Sequence, residues 1–275
     1  MTVTAEMVPT DVGTLHVEVD GEGPPAVLWH SLFVDSTTWH RLRPLLRADR
    51  RLVLIDGPGH GRSSAAPGFT FGQCPAAALQ VLDALGEDGP VDWVGNAWGG
   101  HVGLTLAAQS PDRVRSLVTI ATPAQALRTA ERMKILPLVW AYRAFGAVPP
   151  LANALAQVLL GETFMKSQPE DTALVIRALR GVKRSGMHRA MRSVMLDRPD
   201  ITPLLAQIRV PTVMVAPRND PMLTVQQVRA AVDRMPHASA VELEAEGHIA
   251  PILANAHELA ELIRDFWKDP SARVV

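Results

Sequence analysis

Apolar and polar positions along this chain keep changing their period, and the changes outline its elements. Residues 13–19 alternate as a strand does and are closed by the turn cluster Gly21-Glu22-Gly23-Pro24-Pro25. Residues 26–29 (Ala-Val-Leu-Trp) and 51–55 are short unbroken apolar runs, the pattern of strands covered on both faces. Asp35-Ser36-Thr37 offers caps for a helix over 38–46. A helix over 74–85 leads to an apolar strand at 91–94, then a helix over 101–109 and a strand at 116–121. After an interruption the rhythm resumes: strand at 211–216, helix at 224–235, strand at 239–243, closing helix at 257–267. Strands alternating with helices predict an α/β fold, a mostly parallel sheet with helices on both faces.

The interruption, residues 123–203, is helical in pattern and rich in Leu and Ala. It holds five of the chain's ten methionines: Met133, Met165, Met187, Met191 and Met195. The pattern predicts a helical cap inserted into a core made of residues 1–122 and 204–275. Met187, Met191 and Met195 recur at every fourth position, so one helix carries an apolar stripe. Arg177, Arg180, Lys183, Arg184, Arg189 and Arg192 form a basic stretch suited to a solvated helix face.

Composition changes this picture mainly by exclusion. With 275 residues, 47% apolar and 20% charged, the chain can bury a large core. A formal net charge of −1 provides no field for nucleic acid or an anionic membrane. The longest apolar stretch, 136–160, is broken by Arg143 and Pro149-Pro150, so no membrane span is expected. Cys74 is the only cysteine, which excludes an internal disulfide and fits a reducing compartment. Residues 1–10 hold no basic segment followed by an apolar core, so the expected location is cytoplasmic. The nine histidines are dispersed, no two at i, i+4, and Gly57-Pro58-Gly59-His60-Gly61 lacks the Gly-Lys-Ser/Thr of a phosphate loop. Neither a metal nor another cofactor is expected.

The candidate chemistry lies at Gly95-Asn96-Ala97-Trp98-Gly99-Gly100, between an apolar strand and a helix. Strand, tight turn between glycines, helix is the context of a nucleophile elbow, G-x-Nu-x-G. The nucleophile position carries Ala97, whose methyl group has no lone pair. Around it in order stand His30-Ser31-Leu32-Phe33, then Asp56-Gly57-Pro58-Gly59-His60-Gly61-Arg62-Ser63, then Asp220, then Glu246-Gly247-His248.

Elbow, glycine-rich loop, late acid and Gly-His together make the chain resemble the α/β-hydrolase family over nearly its full length. The resemblance implies roles. Ala97 occupies the nucleophile position, His248 is the general base, and Asp220 orients it, with Glu246 and Asp197 as weaker candidates for the acid. The amides of Trp98 and Leu32 would bind the oxyanion, although Ser31 stands where the family has glycine. His60 and Ser63 pack the turn. His30, Ser31, Phe33, Trp140, Tyr142, Met187, His188 and Met191 are the expected substrate-binding residues, lining an apolar pocket for a hydrophobic small-molecule substrate.

The implied activity is hydrolysis of a hydrophobic carboxylic ester or lactone. Ala97 reads either as a replaced nucleophile or as the native residue of an atypical member. A replaced serine gives acyl transfer. A replaced aspartate gives alkyl-enzyme chemistry, because G-x-D-W-G-G is similar to the elbow of epoxide hydrolases and haloalkane dehalogenases. Against that branch, the chain has a single tyrosine, Tyr142. With a native alanine, the His248–Asp220 dyad would support non-covalent chemistry or the pocket would only bind a ligand.

Overall fold

The computed structural model describes residues 3–271. Eight strands form one sheet: β1 (Thr4–Thr10), β2 (Gly13–Asp20), β3 (Pro25–Trp29), β4 (Arg51–Ile55), β5 (Val91–Asn96), β6 (Val114–Ile120), β7 (Thr212–Asn219) and β8 (Ala238–Glu246). Their order is β1-β2-β4-β3-β5-β6-β7-β8. The β1–β2 and β2–β4 pairs are antiparallel and every other pair is parallel. In β5 all six residues are buried, and in β3 and β4 all but the first, so both faces are covered. That is why these strands read as unbroken apolar runs rather than as alternations.

Helices α1 (Arg43–Leu46), α2 (Cys74–Ala84) and α3 (Trp98–Gln109) connect the first strands, and α9 (Val225–Val232), α10 (Pro251–Ala254) and α11 (Ala256–Lys268) belong to the last part of the chain. Between β6 and β7 lie α4 (Thr129–Phe145), α5 (Pro149–Leu160), α6 (Glu162–Ser167), α7 (Pro169–Gly181) and α8 (Arg184–Ala190). This is the segment whose pattern interrupts the α/β rhythm.

Three elements differ from the pattern. Strand β1 has no signal of its own: four of its first residues are exposed and it contains Pro9, yet it pairs along its length with β2 at the sheet edge. The helix expected over 38–46 is a 3-10 turn, Ser36–Trp39, followed by the four-residue α1. Asp35 caps that turn through Thr37 as expected, but Pro44 supplies no amide to continue a single helix. The methionine stripe does not lie on one regular helix, since α8 runs into a π-helical turn, Met191–Leu196. The π turn takes an extra residue and rotates the side chains beyond it.

The chain leaves β3 for β4 on one side and then crosses back to β5 on the other. This reversal opens a crevice beyond the carboxyl ends of β3 and β5, where ligands bind in open α/β sheets. At the other end of β5, Asp92 is a fully buried carboxylate. It accepts hydrogen bonds from Arg50 Nε (2.7 Å), Arg115 Nε (2.9 Å) and Ser116 Oγ (2.6 Å), with Arg115 Nη2 also against it. Arg50 in turn lies over the Trp267 ring, 4.7 Å from its centroid, tying α11 to the sheet. Asp92→Ala should lower unfolding free energy by about 3 kcal/mol, because it leaves two cations beside an apolar strand. Urea denaturation measures this, and a change near zero would show that the arginines reach water.

Candidate active site

The turn from β5 into α3 is possible only because its backbones nearly touch. A β-carbon at Gly99 would lie 2.0 Å from the Trp29 carbonyl oxygen, and one at Gly95 would lie 2.2 Å from the Gly99 carbonyl carbon. Ala97, between them, is held at φ 48°, ψ −100°, a conformation L-residues rarely adopt. Its amide donates to Ile120 O (2.7 Å), and its carbonyl accepts from His101 N (2.9 Å). The methyl group is thereby presented to a cavity of about 80 Å³.

Ser31, Leu32, Phe33, Trp98, His101 and His248 also border that cavity, with Pro123, Leu127, Leu159, Val194, Met195, Arg198 and Met222 completing it. Phe33 is a second strained non-glycine, at φ 77°. Its amide donates to His60 Nε2 (3.2 Å), and the Gly99 amide donates to His30 O (3.2 Å). The amides of Leu32 and Trp98, one residue before these in sequence, have no acceptor among the described residues.

His248 follows Gly247, whose φ is +94° and whose β-carbon, if present, would lie 2.5 Å from Leu160 C. The tight contact packs this turn against the end of α5, and His248 borders the same cavity as Ala97. His248 Nδ1 donates to Asp220 Oδ2 (2.7 Å), and Asp220 Oδ1 accepts from Met222 N (2.8 Å). Both side chains are buried. The other two carboxylates considered for this position are engaged elsewhere. Glu246 accepts from Thr163 N at the start of α6, and Asp197 pairs with Arg132 at 2.8 Å on the surface.

Several expected substrate contacts lie away from the cavity. His30 is fully buried beneath it: Nδ1–H donates to Ser31 O (2.6 Å) and Nε2 accepts from Gly57 N (2.8 Å), so both nitrogens are used in joining two loops. His60 pins the same loops through Pro58 O and Phe33 N. Trp140 is 61% exposed on α4, while Tyr142 on the same helix is buried without bordering the cavity. Met187 and Met191 are buried in packing. The rotation in the π turn brings Met195, not its two predecessors, to the cavity. His188 borders a separate groove with Phe69 and Arg192. The pattern missed His101, Arg198 and Met222. His101 was within reach of sequence reasoning, since it stands one turn beyond Ala97. Arg198 and Met222 gave no local signal.

Trp98 borders the cavity, and its ring is enclosed by Trp29, His30 and His60 with centroids 5.6, 5.6 and 5.1 Å away. Burial keeps the neighbouring histidines neutral. It lowers His30, pushes His60 down to about 3 and holds His101 well below the usual imidazole range, where the Arg198 charge adds to the effect. The single thiol, Cys74, is buried and pushed up to about 12, so it is unreactive. Among the described residues no three His, Cys, Asp or Glu side chains converge on a point that could hold a metal, and no helix is long and apolar enough to cross a membrane.

This fold is that of a known class. Residues 24–254 match the model of the alpha/beta hydrolase fold, and the chain belongs to that family. It is similar to the pimeloyl-[acyl-carrier protein] methyl ester esterase of Xanthomonas campestris pv. campestris, 28% identical over 263 residues, covering 92% of this chain and 98% of the relative. The protein of the same name from Aeromonas salmonicida is 26% identical over 270 residues, covering 92% and 99%. Among solved structures, the enol-lactonase from Burkholderia xenovorans LB400 superposes with a TM-score of 0.89 at 25% identity, covering 96% of this chain and 100% of that one. A thermophilic esterase from Thermogutta terrifontis has the same TM-score at 22% identity, covering 98% and 100%, a likeness of fold.

The depressed histidines give the folded state an acid limit. In the unfolded chain they bind protons near pH 6.5, whereas folded His60 does so only near pH 3. The unfolded state therefore holds more protons between these values, and stability rises with pH across that window. The melting temperature should fall steadily as pH drops below about 6.5. His60→Gln, which keeps an acceptor for Phe33 N but cannot titrate, should flatten that fall. An identical pH profile in the variant would remove His60 from the account.

Proposed function

We propose that this chain is a carboxylic ester or lactone hydrolase by architecture, with the nucleophile position occupied by Ala97, so that it binds its ester and hydrolyses it slowly. The observation that carries this reading is the strain at Ala97. Holding a non-glycine residue at φ 48°, ψ −100° costs on the order of 1–3 kcal/mol. A methyl group gains nothing from that geometry, whereas a nucleophilic oxygen there would project from the turn toward a bound carbonyl.

With serine at 97, the hydroxyl would attack and His248 would take its proton through Nε2. Asp220, on Nδ1, would hold the ring and stabilise the imidazolium. The unengaged Leu32 and Trp98 amides would receive the oxyanion, where fixed donors stabilise charge as it develops. His248 would return the proton to the departing alcohol, and water would then release the acid by the same steps in reverse. With alanine at 97, His248 can activate water against the ester directly, without a covalent intermediate. Residues 123–203 act as the cap, supplying Leu127, Leu159, Val194 and Met195 to the apolar wall.

Relatives named for methyl ester and for lactone hydrolysis support the carboxylic ester class. The cavity volume of about 80 Å³ is far below the roughly 300–1,000 Å³ of sites for drug-sized ligands. It favours a short substrate arm over the bulky one that a methionine-rich cap would suggest. An epoxide hydrolase is disfavoured because the single tyrosine, Tyr142, lies outside the cavity.

Three proteins test this: the chain as it stands, Ala97→Ser and Ala97→Asp, each offered short activated esters, lactones and epoxides. Ala97→Ser should raise ester turnover by several orders of magnitude, towards the roughly 10⁶-fold that nucleophile loss costs a serine hydrolase. It should also give a burst of acyl-enzyme. Gain only in Ala97→Asp would move the chain to alkyl-enzyme chemistry. If the unmodified chain is the best catalyst, the reaction belongs to the His248–Asp220 dyad alone.

A further inference from the structure

The wall of the cavity is apolar except at Ser31, at His248 and at one further place, where Arg198 and His101 stand. His101 is 1% exposed, and neither ring nitrogen has a hydrogen-bond partner among the described residues. Its ring is held against Phe71, with centroids 4.5 Å apart. A buried polar group without a partner costs about 1–3 kcal/mol, so a side chain present only for packing would be Leu or Phe. The imidazole is neutral, which leaves one N–H to give.

Arg198 is half-buried, and Nε and Nη2 both donate to a single neutral acceptor, Gln125 O (3.0 and 2.7 Å). No carboxylate lies within ion-pair distance of it among the described residues. Burial lowers it to about 10, still a cation at neutral pH, with Glu131 and Asp200 acting only at longer range. Glu131 is itself engaged by Arg128. Charges drawn out of water are normally paired, and this one faces a cavity instead.

We propose that Arg198 and His101 form an anion subsite that binds a carboxylate on the substrate, so that preferred substrates are short esters or lactones carrying a free carboxylate at the far end. The guanidinium supplies the charge and the imidazole a second donor, and a carboxylate is acceptor-only with two oxygens to receive them. The small cavity suits a planar carboxylate better than a tetrahedral phosphate. A ketone or amide would use His101 but leave the cation unpaired. Which substrate atoms react rests on the proposed ester chemistry, but binding of the anion does not.

The chain as it stands allows binding to be measured with little turnover. Calorimetry at pH 7.5 would compare monomethyl glutarate with methyl 5-oxohexanoate, in which a methyl group replaces one carboxylate oxygen. The anion should bind at least about tenfold more tightly, the difference expected of a charge-assisted hydrogen bond. Arg198→Gln should abolish the preference, read as the ratio of the two affinities, Arg198→Lys should retain part of it, and His101→Phe should weaken both ligands. If Arg198 only clamps the 123–127 loop through Gln125, Arg198→Gln would weaken both ligands equally, and the subsite is overturned. Equal affinity of the two ligands for the unmodified chain, or no binding of the monoester at millimolar concentration, overturns it without any variant. Ester turnover by Ala97→Ser is the separate readout. Anion preference without that turnover supports the subsite and removes the serine-type acyl-transfer reading, whereas turnover without preference does the reverse.

Discussion

Contact between backbones at the end of β3 and the start of α3 organises everything on the functional face of this molecule. The Gly99 Cα lies so close to the Trp29 carbonyl that no side chain fits between them. Strand, turn and helix can therefore meet only with glycine on both sides of residue 97, and residue 97 is forced out of ordinary conformational space. The same closeness brings the loop after β3 beside the first amides of α3. Two unengaged N–H groups, from Leu32 and Trp98, then border one cavity, although they are 66 positions apart by residue number. This geometry survives with alanine at its centre because it is made by backbone contacts rather than by the side chain of residue 97.

Around that contact the loops are fixed by buried polar groups with their hydrogen bonds used. Asp56 accepts from Ser36 N (2.8 Å), Arg62 N (3.0 Å) and His16 Nδ1 (3.1 Å), which hold its carboxyl below the usual range despite burial. His30 and His60 each give one hydrogen bond and receive one. Three loops thereby become one rigid platform. The sequence places His60 in the packing of the turn and His30 among the substrate-binding residues. Completed hydrogen bonding gives both a structural part. His101, equally buried, completes none.

The segment between β6 and β7 decides how large and how polar the cavity is. Gly59 lies against the Gly186 backbone of α8, and Gly247 against the end of α5, so this segment is docked to the platform at two close contacts. Within it, a single π turn determines which methionine faces the cavity. Arg198, at its exit, bonds to the Gln125 carbonyl at its entrance and so joins the two ends where they return to the sheet. A cation at that junction gives a mostly apolar pocket one charged end, which an argument from the segment's leucines and methionines would not anticipate.

Residue order alone specifies the sheet, the alternation of its strands with helices, and the elbow. Unbroken apolar runs occur where both faces are covered, and glycines at 95 and 99 are demanded by steric contacts of the turn itself. It also places Asp220 and His248 just beyond β7 and β8, with Glu246 and Asp197 as alternative acids that only the fold engages elsewhere. Other features were invisible locally. Strand β1 owes its existence to pairing with β2 at an edge that needs no apolar pattern. Met187 and Met191 share a helical segment with Val194 and Met195, which reach the cavity, whereas Trp140 and Tyr142 lie on α4, none of whose residues borders it. Only the docking of those helices, and the extra residue of the π turn, set which way each one faces. Arg198 and His101 are 97 residues apart, and only the folded chain brings them to one cavity. Local periodicity records which side of an element is buried; the surface it is buried against is set by contacts between distant segments, and there the character of the site was decided.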